Sequence, residues 1–192
     1  MQDSTPPAKT TAPLSRQGKA ALGYATRQRW RVFPVAPGEK SPPLLDKWQV
    51  RATTDPRQIA TWWSSWPTAN VAVATGGASR LVVVDIDPRH GGQDSWADLV
   101  DQHELPDTLE TMTGGGGTHV YFMAPEGIDL RNTAGSIGPG IDTRGSGGYV
   151  LVPPSQTTGP YEWVTHSIPP APLPAWLLAR WTTKPATGAT GG

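Results

Sequence analysis

The sequence predicts an α+β fold arranged around one buried strand. Leu81–Val84 is an unbroken apolar run rich in β-branched residues, which is typical of a strand covered on both faces, and it leads directly into Asp85-Ile86-Asp87. Segments with helical spacing of apolar residues, such as 14–29, alternate with short strand-like segments that end in glycine turns. This mixture of helices and tightly connected strands favours an α+β organisation.

The N-terminal part predicts a helix, an edge strand and a second helix. Good helix formers occupy 14–29, and Val32–Val35 follows as a short strand that its proline confines to a sheet edge. The loop 37–43 then carries Lys40 outside any regular element. Asp55-Pro56 is typical of a helix start, and Pro67 ends that helix.

The rest of the chain predicts strands on both sides of the central one, with a helix at 92–104 and a short one at 174–181. Thr118–Met123 follows a strand at 109–113 through the turn Gly114–Gly117. We expect 140–144 and 149–152 to form a hairpin around Gly145–Gly148. Further predicted strands are Asn70–Ala74, which ends in a glycine turn, and Tyr161–Val164, at a sheet edge.

The composition predicts one folded domain between two irregular ends. Residues 1–13 are rich in proline, threonine and alanine and predict a disordered lead, whereas 183–192 has the composition of a linker. We expect residues 14–182 to form this domain. The linker-like tail suggests that the chain continues into a second domain elsewhere or was cut within a linker.

Other totals exclude several classes of protein. Cysteine is absent, which excludes disulfide frameworks and thiolate zinc sites. No apolar run approaches the about 20 residues of a membrane-spanning helix, and the N-terminus lacks a secretory apolar segment, so we expect a cytoplasmic protein without membrane association. Residues 1–60 hold ten Lys/Arg against four Asp/Glu, and the remainder holds six against twelve. This asymmetry indicates either a polyanion-binding region or a solvated, arginine-rich helical face.

The first chemical signal is the carboxylate pair at the end of the central strand. Side chains alternate along a strand, so Asp85 and Asp87 point to one face while Ile86 points into the core. Two adjacent carboxylates repel one another and resist desolvation unless a cation lies between them. Mg²⁺ or Mn²⁺ satisfies that requirement with oxygen ligands. The alternative is a pair of turn or capping residues.

Two further signals lie on later strands. The run Gly114–Gly117 lets backbone N–H groups approach a phosphate closely, and His119 follows it on the same strand face as Tyr121. Asp142 and Arg144 are two residues apart and share a strand face, which suits either a third metal carboxylate beside a phosphate clamp or a surface ion pair. A structural histidine remains the alternative for His119.

Other catalytic classes lack their sequence signatures. The chain has no Gly-x-x-x-x-Gly-Lys-Ser/Thr loop, and no Gly-x-Gly-x-x-Gly follows a strand. No serine or cysteine lies in a recognisable nucleophile motif.

Taken in order, these motifs resemble a known family. Val84–Gly92, the glycine loop ending in His119, and Gly140–Val150 with Pro153-Pro154-Ser155 are similar to the bifunctional DNA primase/polymerase domain of the archaeo-eukaryotic primase superfamily, which occurs in plasmids, phages and mobile elements. The likeness covers about residues 15–180. It implies the archaeo-eukaryotic primase fold, in which a mixed or antiparallel, RRM-like catalytic sheet is flanked by helices and faces a small N-terminal α/β subdomain.

The resemblance also implies roles for particular residues. Asp85, Asp87 and Asp142 would be the catalytic carboxylates that hold two Mg²⁺ or Mn²⁺ ions. The family's second motif is often Ser-x-His, and here Gly117 stands at the serine position, so a hydroxyl contact to phosphate is lost or replaced. The implied nucleotide-binding residues are Gly115, Gly116, Gly117, Thr118, His119 and Arg144, and basic residues expected to follow DNA are Arg27, Arg29, Arg31 and Lys40.

The implied activity is template-directed transfer of nucleotides to a 3′-hydroxyl with release of pyrophosphate. Its partners would be single-stranded DNA template, primer and nucleoside triphosphates, with a helicase as a further partner, either C-terminal or separate. Two other classes stay open: a primase-like module that binds DNA or nucleotide without polymerising, and a metal-dependent phosphohydrolase or nuclease. Retention of three costly carboxylates argues against a module that only binds.

Overall fold

Two sheets with helices packed on them form the fold, as the computed structural model shows for residues 13–165 and 167–183. The disordered lead predicted at 1–13 and the tail predicted at 183–192 therefore lie almost wholly outside the described residues. No described helix has both the length and the apolar character that crossing a membrane requires. The helices are α1 (Arg16–Arg27), α2 (Trp48–Arg51), α3 (Pro56–Ser65), α4 (Gly92–Gln102) and α5 (Ala175–Thr182).

Among the described residues, ten strands make up the two sheets. In the small sheet the order is β1-β2-β8, and in the large sheet it is β6-β7-β3-β5-β4-β9, with all these neighbours antiparallel. A final strand, β10, pairs in parallel with the end of β5. The strands are β1 (Val32–Val35), β2 (Asn70–Ala74), β3 (Leu81–Ile86), β4 (Glu110–Met112), β5 (Thr118–Met123), β6 (Thr133–Gly138), β7 (Ile141–Arg144), β8 (Tyr149–Val152), β9 (Glu162–Trp163) and β10 (Ala171–Pro172).

The small sheet and the helices α1 and α3 form the predicted N-terminal subdomain. Its β1 strand lies at the sheet edge, as Pro34 requires, because proline offers no N–H to a second neighbour. Asp55 caps α3 by accepting a hydrogen bond from the Arg57 N–H, and Pro56 begins the helix. The third strand, β8, comes from much later in the chain. The α+β fold expected from the sequence is thus confirmed.

Alternation along β3 divides the interior into two cores. Leu81 and Val83 pack with the small sheet, α1 and α3, whereas Val82, Val84 and Ile86 pack with α4 and α5. Asp85 shares its face with Leu81 and Val83, since side chains two apart lie on one side of a strand. The acidic end of β3 therefore opens into the space between the two sheets.

The predicted hairpin between β7 and β8 is wrong. β7 pairs with β3 and β6 in the large sheet, and β8 pairs with β2 in the small sheet. The turn Gly145–Gly148 thus carries the chain from one sheet to the other. A Cβ on Gly145 would collide with the Leu130 carbonyl oxygen, so only glycine allows this close approach.

An aromatic cluster packs α1 and the segment before β1 against the large sheet. The ring of Trp30 stacks between those of Tyr24 on α1 and Tyr121 on β5. The Tyr24 hydroxyl donates to the Pro153 carbonyl and accepts from the Trp163 indole N–H. Burial raises the pKa of Tyr24 to about 12, because the phenolate would lose its water.

Because of this raised pKa, we expect the protein to lose stability between pH 10 and 12. The unfolded chain ionises Tyr24 near its ordinary value of 10.0, whereas the folded chain keeps it neutral to about 12. That difference lowers the free energy of unfolding by about 2 to 3 kcal/mol across this range. Urea unfolding at pH 8 to 12 measures it, with Tyr24→Phe as the comparison. Equal losses in wild type and Tyr24→Phe over this range would contradict the expectation.

Candidate metal and nucleotide site

Three predicted site residues form one row across neighbouring strands. β3 lies between β7 and β5, and Asp85 is directly opposite Asp142 on one side and His119 on the other. Residues in register on adjacent strands point to the same side of a sheet. Strand pairing therefore brings together two carboxylates and an imidazole that are separated by up to 57 positions in the chain.

Arg144 bridges the two carboxylates in this row. One guanidinium nitrogen, Nη2, lies 3.0 Å from Asp85 Oδ2 and 3.3 Å from Asp142 Oδ2. Asp142 Oδ1 also accepts a hydrogen bond from the Gly135 N–H at 3.2 Å. The arginine thus reduces the repulsion between two like charges that face each other across a strand pair.

His119 completes the surroundings of Asp85. Its Nε2 lies 3.5 Å from Asp85 Oδ1, and its other ring nitrogen, Nδ1, is buried without a hydrogen-bond partner among the described residues. Burial alone would raise the pKa of Asp85, but the proximity of His119 and Arg144 outweighs it and lowers the pKa to about 2. Asp85 is therefore a carboxylate at neutral pH and accepts only cations or hydrogen-bond donors.

Asp87 lies just beyond β3, at the start of a short 3₁₀ turn, Pro88–His90. Its carboxylate accepts from Arg89 Nε at 3.0 Å and Arg89 Nη2 at 2.8 Å, and His90 Nδ1 lies 3.1 Å away. These contacts, chiefly the Arg89 side chain, hold the pKa of Asp87 well below its usual range. Neither Arg89 nor His90 was predicted to be a site residue, although both follow Asp87 within three positions.

The glycine loop is closed by its own hydrogen bonds. The Gly117 N–H donates to the Thr113 hydroxyl at 3.0 Å, and the Gly116 N–H donates to the Thr113 carbonyl at 2.9 Å. A Cβ on Gly117 would lie 2.6 Å from the Ile86 carbonyl oxygen. A side chain at this position would therefore require the loop or the end of β3 to move. Gly115 is exposed at the tip of the loop.

Two adjoining cavities share Asp85, Arg144 and Lys40 in their walls. The first, which we call the glycine-side cavity, has a volume of about 500 Å³ and is lined also by Asp87, Arg89, Gly115, Gly117, Gly140 and Asp142. The second, the aromatic cavity, has a volume of about 300 Å³ and is lined also by His119, Asn132, Trp48, Tyr149 and Tyr161. A charged space and an aromatic space thus meet at the row of catalytic candidates.

The wall of the aromatic cavity is built from packed rings that sequence reasoning did not assign to the site. Trp48 stacks on Phe33 with ring centroids 4.6 Å apart, and Tyr149 meets both rings edge-on. The Tyr149 hydroxyl donates to the Lys40 carbonyl at 2.9 Å, which fixes the loop that carries this lysine. No sequence signal links Trp48 and Tyr149, because they meet only through the fold.

Other predicted residues lie elsewhere. Arg31 donates to the Ala52 carbonyl at 2.9 Å and to the Gln49 carbonyl at 3.0 Å, so its guanidinium closes the C-terminus of α2. Arg27 lines a separate cavity beside α1, and Arg29 is exposed next to it in the chain. Thr118 points to the opposite face of β5 from His119. Of the four basic residues expected to contact DNA, only Lys40 lines the two site cavities.

The carboxylates suit hard divalent cations even though they form no ready-made cage. Within 13–165 and 167–183, no group of three or more His, Asp or Glu side chains is arranged to hold a metal ion. A cationic group, the Arg144 guanidinium, already lies between Asp85 and Asp142, which shows that these carboxylates accept a positive charge. All three candidate ligands are carboxylates, the donors that Mg²⁺ and Mn²⁺ prefer. The residues therefore fit such an ion once the guanidinium is displaced.

We expect Gly117→Ser, which restores the family's serine, to destabilise this protein rather than improve its site. The new side chain would collide with the Ile86 carbonyl, at a cost of about 1 to 3 kcal/mol. Gly115→Ser is the matched control, because a Cβ there meets nothing within 4 Å and should change stability by less than about 0.5 kcal/mol. Chemical denaturation measures the free energy of unfolding of both variants. Equal values for Gly117→Ser and Gly115→Ser would contradict the expectation and show that the loop moves to accommodate the side chain.

Most of the chain matches one protein-family model. The Prim-Pol family model, described as bifunctional DNA primase/polymerase, N-terminal, matches residues 21–176. The matched range includes the whole cross-strand row and both cavities. A search of curated proteins found no match to the chain.

Proposed function

The chain belongs to the bifunctional DNA primase/polymerase family, and on that premise we propose that it synthesises DNA or primers on a single-stranded template. Membership of this family implies a nucleotidyltransferase. The reaction we propose joins a nucleoside triphosphate to a 3′-hydroxyl and releases pyrophosphate. Its setting would be the replication of a plasmid, phage or mobile element, with a helicase as a further partner.

The observation that carries this proposal is the row Asp142–Asp85–His119 at the junction of the two cavities. A polymerase must hold a triphosphate, a nucleoside and a primer end around one set of carboxylates. The glycine-side cavity offers Arg89, Arg144 and an exposed glycine amide, which suit the triphosphate. The aromatic cavity offers rings that suit the nucleoside.

Asp85, Asp87 and Asp142 would hold the two Mg²⁺ or Mn²⁺ ions, which when bound activate the 3′-hydroxyl and neutralise the triphosphate. The remaining work is positioning and electrostatics. Arg144 would contact the triphosphate from the wall of the glycine-side cavity, and the Gly115 amide would approach it closely. His119 would face the nucleotide from the aromatic cavity, on the other side of Asp85. Lys40 would meet the DNA backbone or the triphosphate from the loop above both cavities.

Primer extension on a single-stranded template tests this function. We expect Asp85→Asn and Asp142→Asn each to lower pyrophosphate-releasing synthesis by at least about 100-fold, since each removes a charge that the transition state requires. Asp129→Asn is the control, because Asp129 is a half-exposed carboxylate paired with Arg131, outside both cavities. Circular dichroism checks that each variant is folded.

Other products would contradict the proposal. Release of orthophosphate or cleavage of the DNA would indicate a phosphohydrolase or nuclease. A protein that binds DNA without metal and incorporates no labelled nucleotide would be a binding module. An unprimed template supplied with both ribonucleotides and deoxyribonucleotides further separates strand initiation from extension.

A further inference from the structure

Every candidate metal ligand in this site already has a guanidinium partner. Arg144 Nη2 contacts Asp85 and Asp142 at 3.0 and 3.3 Å. Arg89 holds both oxygens of Asp87 at 3.0 and 2.8 Å. Arg144 ends β7 and Arg89 lies in the 3₁₀ turn that follows β3, yet together they contact all three carboxylates.

The pairing has a clear electrostatic cause. Like charges directly opposite each other on antiparallel strands are destabilising, and the side chain of Asp85 is only 25% exposed. Carboxylates that are partly buried in this way need a compensating cation. Arg144 supplies it for Asp85 and Asp142, and Arg89 supplies it for Asp87. A divalent ion bound between these carboxylates would draw on the negative charge that the guanidinium groups now compensate, so a bound ion and these ion pairs compete with one another.

A displaced guanidinium has an obvious new partner in the same space. Both arginines line the glycine-side cavity, and the Arg89 side chain is 67% exposed and therefore able to turn. A triphosphate in that cavity would present oxygens that match the guanidinium fork. Neither arginine would have to leave the cavity to change partners.

We propose that Arg144 and Arg89 are positioning residues that exchange partners, holding the carboxylates in the empty site and the triphosphate in the loaded one. The inference rests on the proposed function and adds a specific consequence. Metal binding frees the arginines for the nucleotide, and nucleotide binding draws them away from the metal ligands. By reciprocal linkage, each ligand then strengthens the binding of the other.

Titration with Mn²⁺ alone, followed by calorimetry without nucleotide, isolates the first half of this exchange. Arg144→Gln and Arg89→Gln remove a competing cation, so we expect each to bind Mn²⁺ about five-fold more tightly than wild type. Lys40→Gln is the matched control. It removes the same charge from the wall of both cavities, but Lys40 forms no ion pair among residues 13–165 and 167–183. We expect little change for this variant.

Equilibrium binding of a non-hydrolysable deoxynucleoside triphosphate analogue in Mn²⁺ measures the second half. The same two arginine variants should bind the analogue about ten-fold more weakly, because a charge-assisted contact to phosphate is lost. Tighter metal with weaker nucleotide is the signature of exchange. If the arginines only held the carboxylates in place, removing them would weaken Mn²⁺ binding. If they only contacted phosphate, removing them would leave Mn²⁺ binding unchanged.

Three results would overturn the exchange: Mn²⁺ affinity that stays the same or falls in both arginine variants, an equal gain in Lys40→Gln, or unchanged binding of the analogue. Arg89 is exposed, so Arg89→Gln decides the question even where Arg144→Gln fails to fold. These measurements need no catalysis. If wild-type protein extends primers but the variants do not show the expected binding changes, only the exchange is refuted. If the variants show those changes but wild-type protein synthesises nothing, only the proposed polymerase is refuted.

Discussion

The site depends on one constraint, the pairing of β3 with β7 and β5 in a register that sets Asp85 opposite both Asp142 and His119. A shift of one residue in either pairing would turn these side chains to opposite faces of the sheet. The register is held by the apolar half of β3, whose buried side chains alternate between two cores. Hydrophobic packing thus fixes the positions of charges that would otherwise repel one another.

The second sheet supplies a wall that faces this row. The chain leaves β7 at Arg144 and crosses through Gly145–Gly148 to β8, so the cation and the aromatic wall that face Asp85 are only five residues apart in sequence. A hairpin would have kept β8 in the large sheet and left the carboxylates open to solvent. The close approach of Gly145 to the Leu130 carbonyl makes the crossing possible.

Local patterns predicted the parts of this protein that are locally determined. The apolar run and acidic end of β3, the proline at the edge of β1 and the cap of α3 all follow from adjacent residues. The pairing of β7 with β6 could not be predicted in this way, because β6 (Thr133–Gly138) consists largely of small and polar residues that carry no strand pattern. Arg31 was expected to contact DNA, yet it binds backbone carbonyls, a role that only tertiary structure reveals.

Internal ion pairs also bear on how such a site could release its product. If arginines alternate between carboxylates and phosphates, the net affinity for triphosphate is the difference between two sets of ion pairs rather than the full strength of one. In the proposed reaction, departure of pyrophosphate would then leave no partly buried charge without a partner, because Arg144 would return to Asp85 and Asp142. A site that contains its own counter-ions can therefore bind a highly charged substrate without retaining an equally charged product.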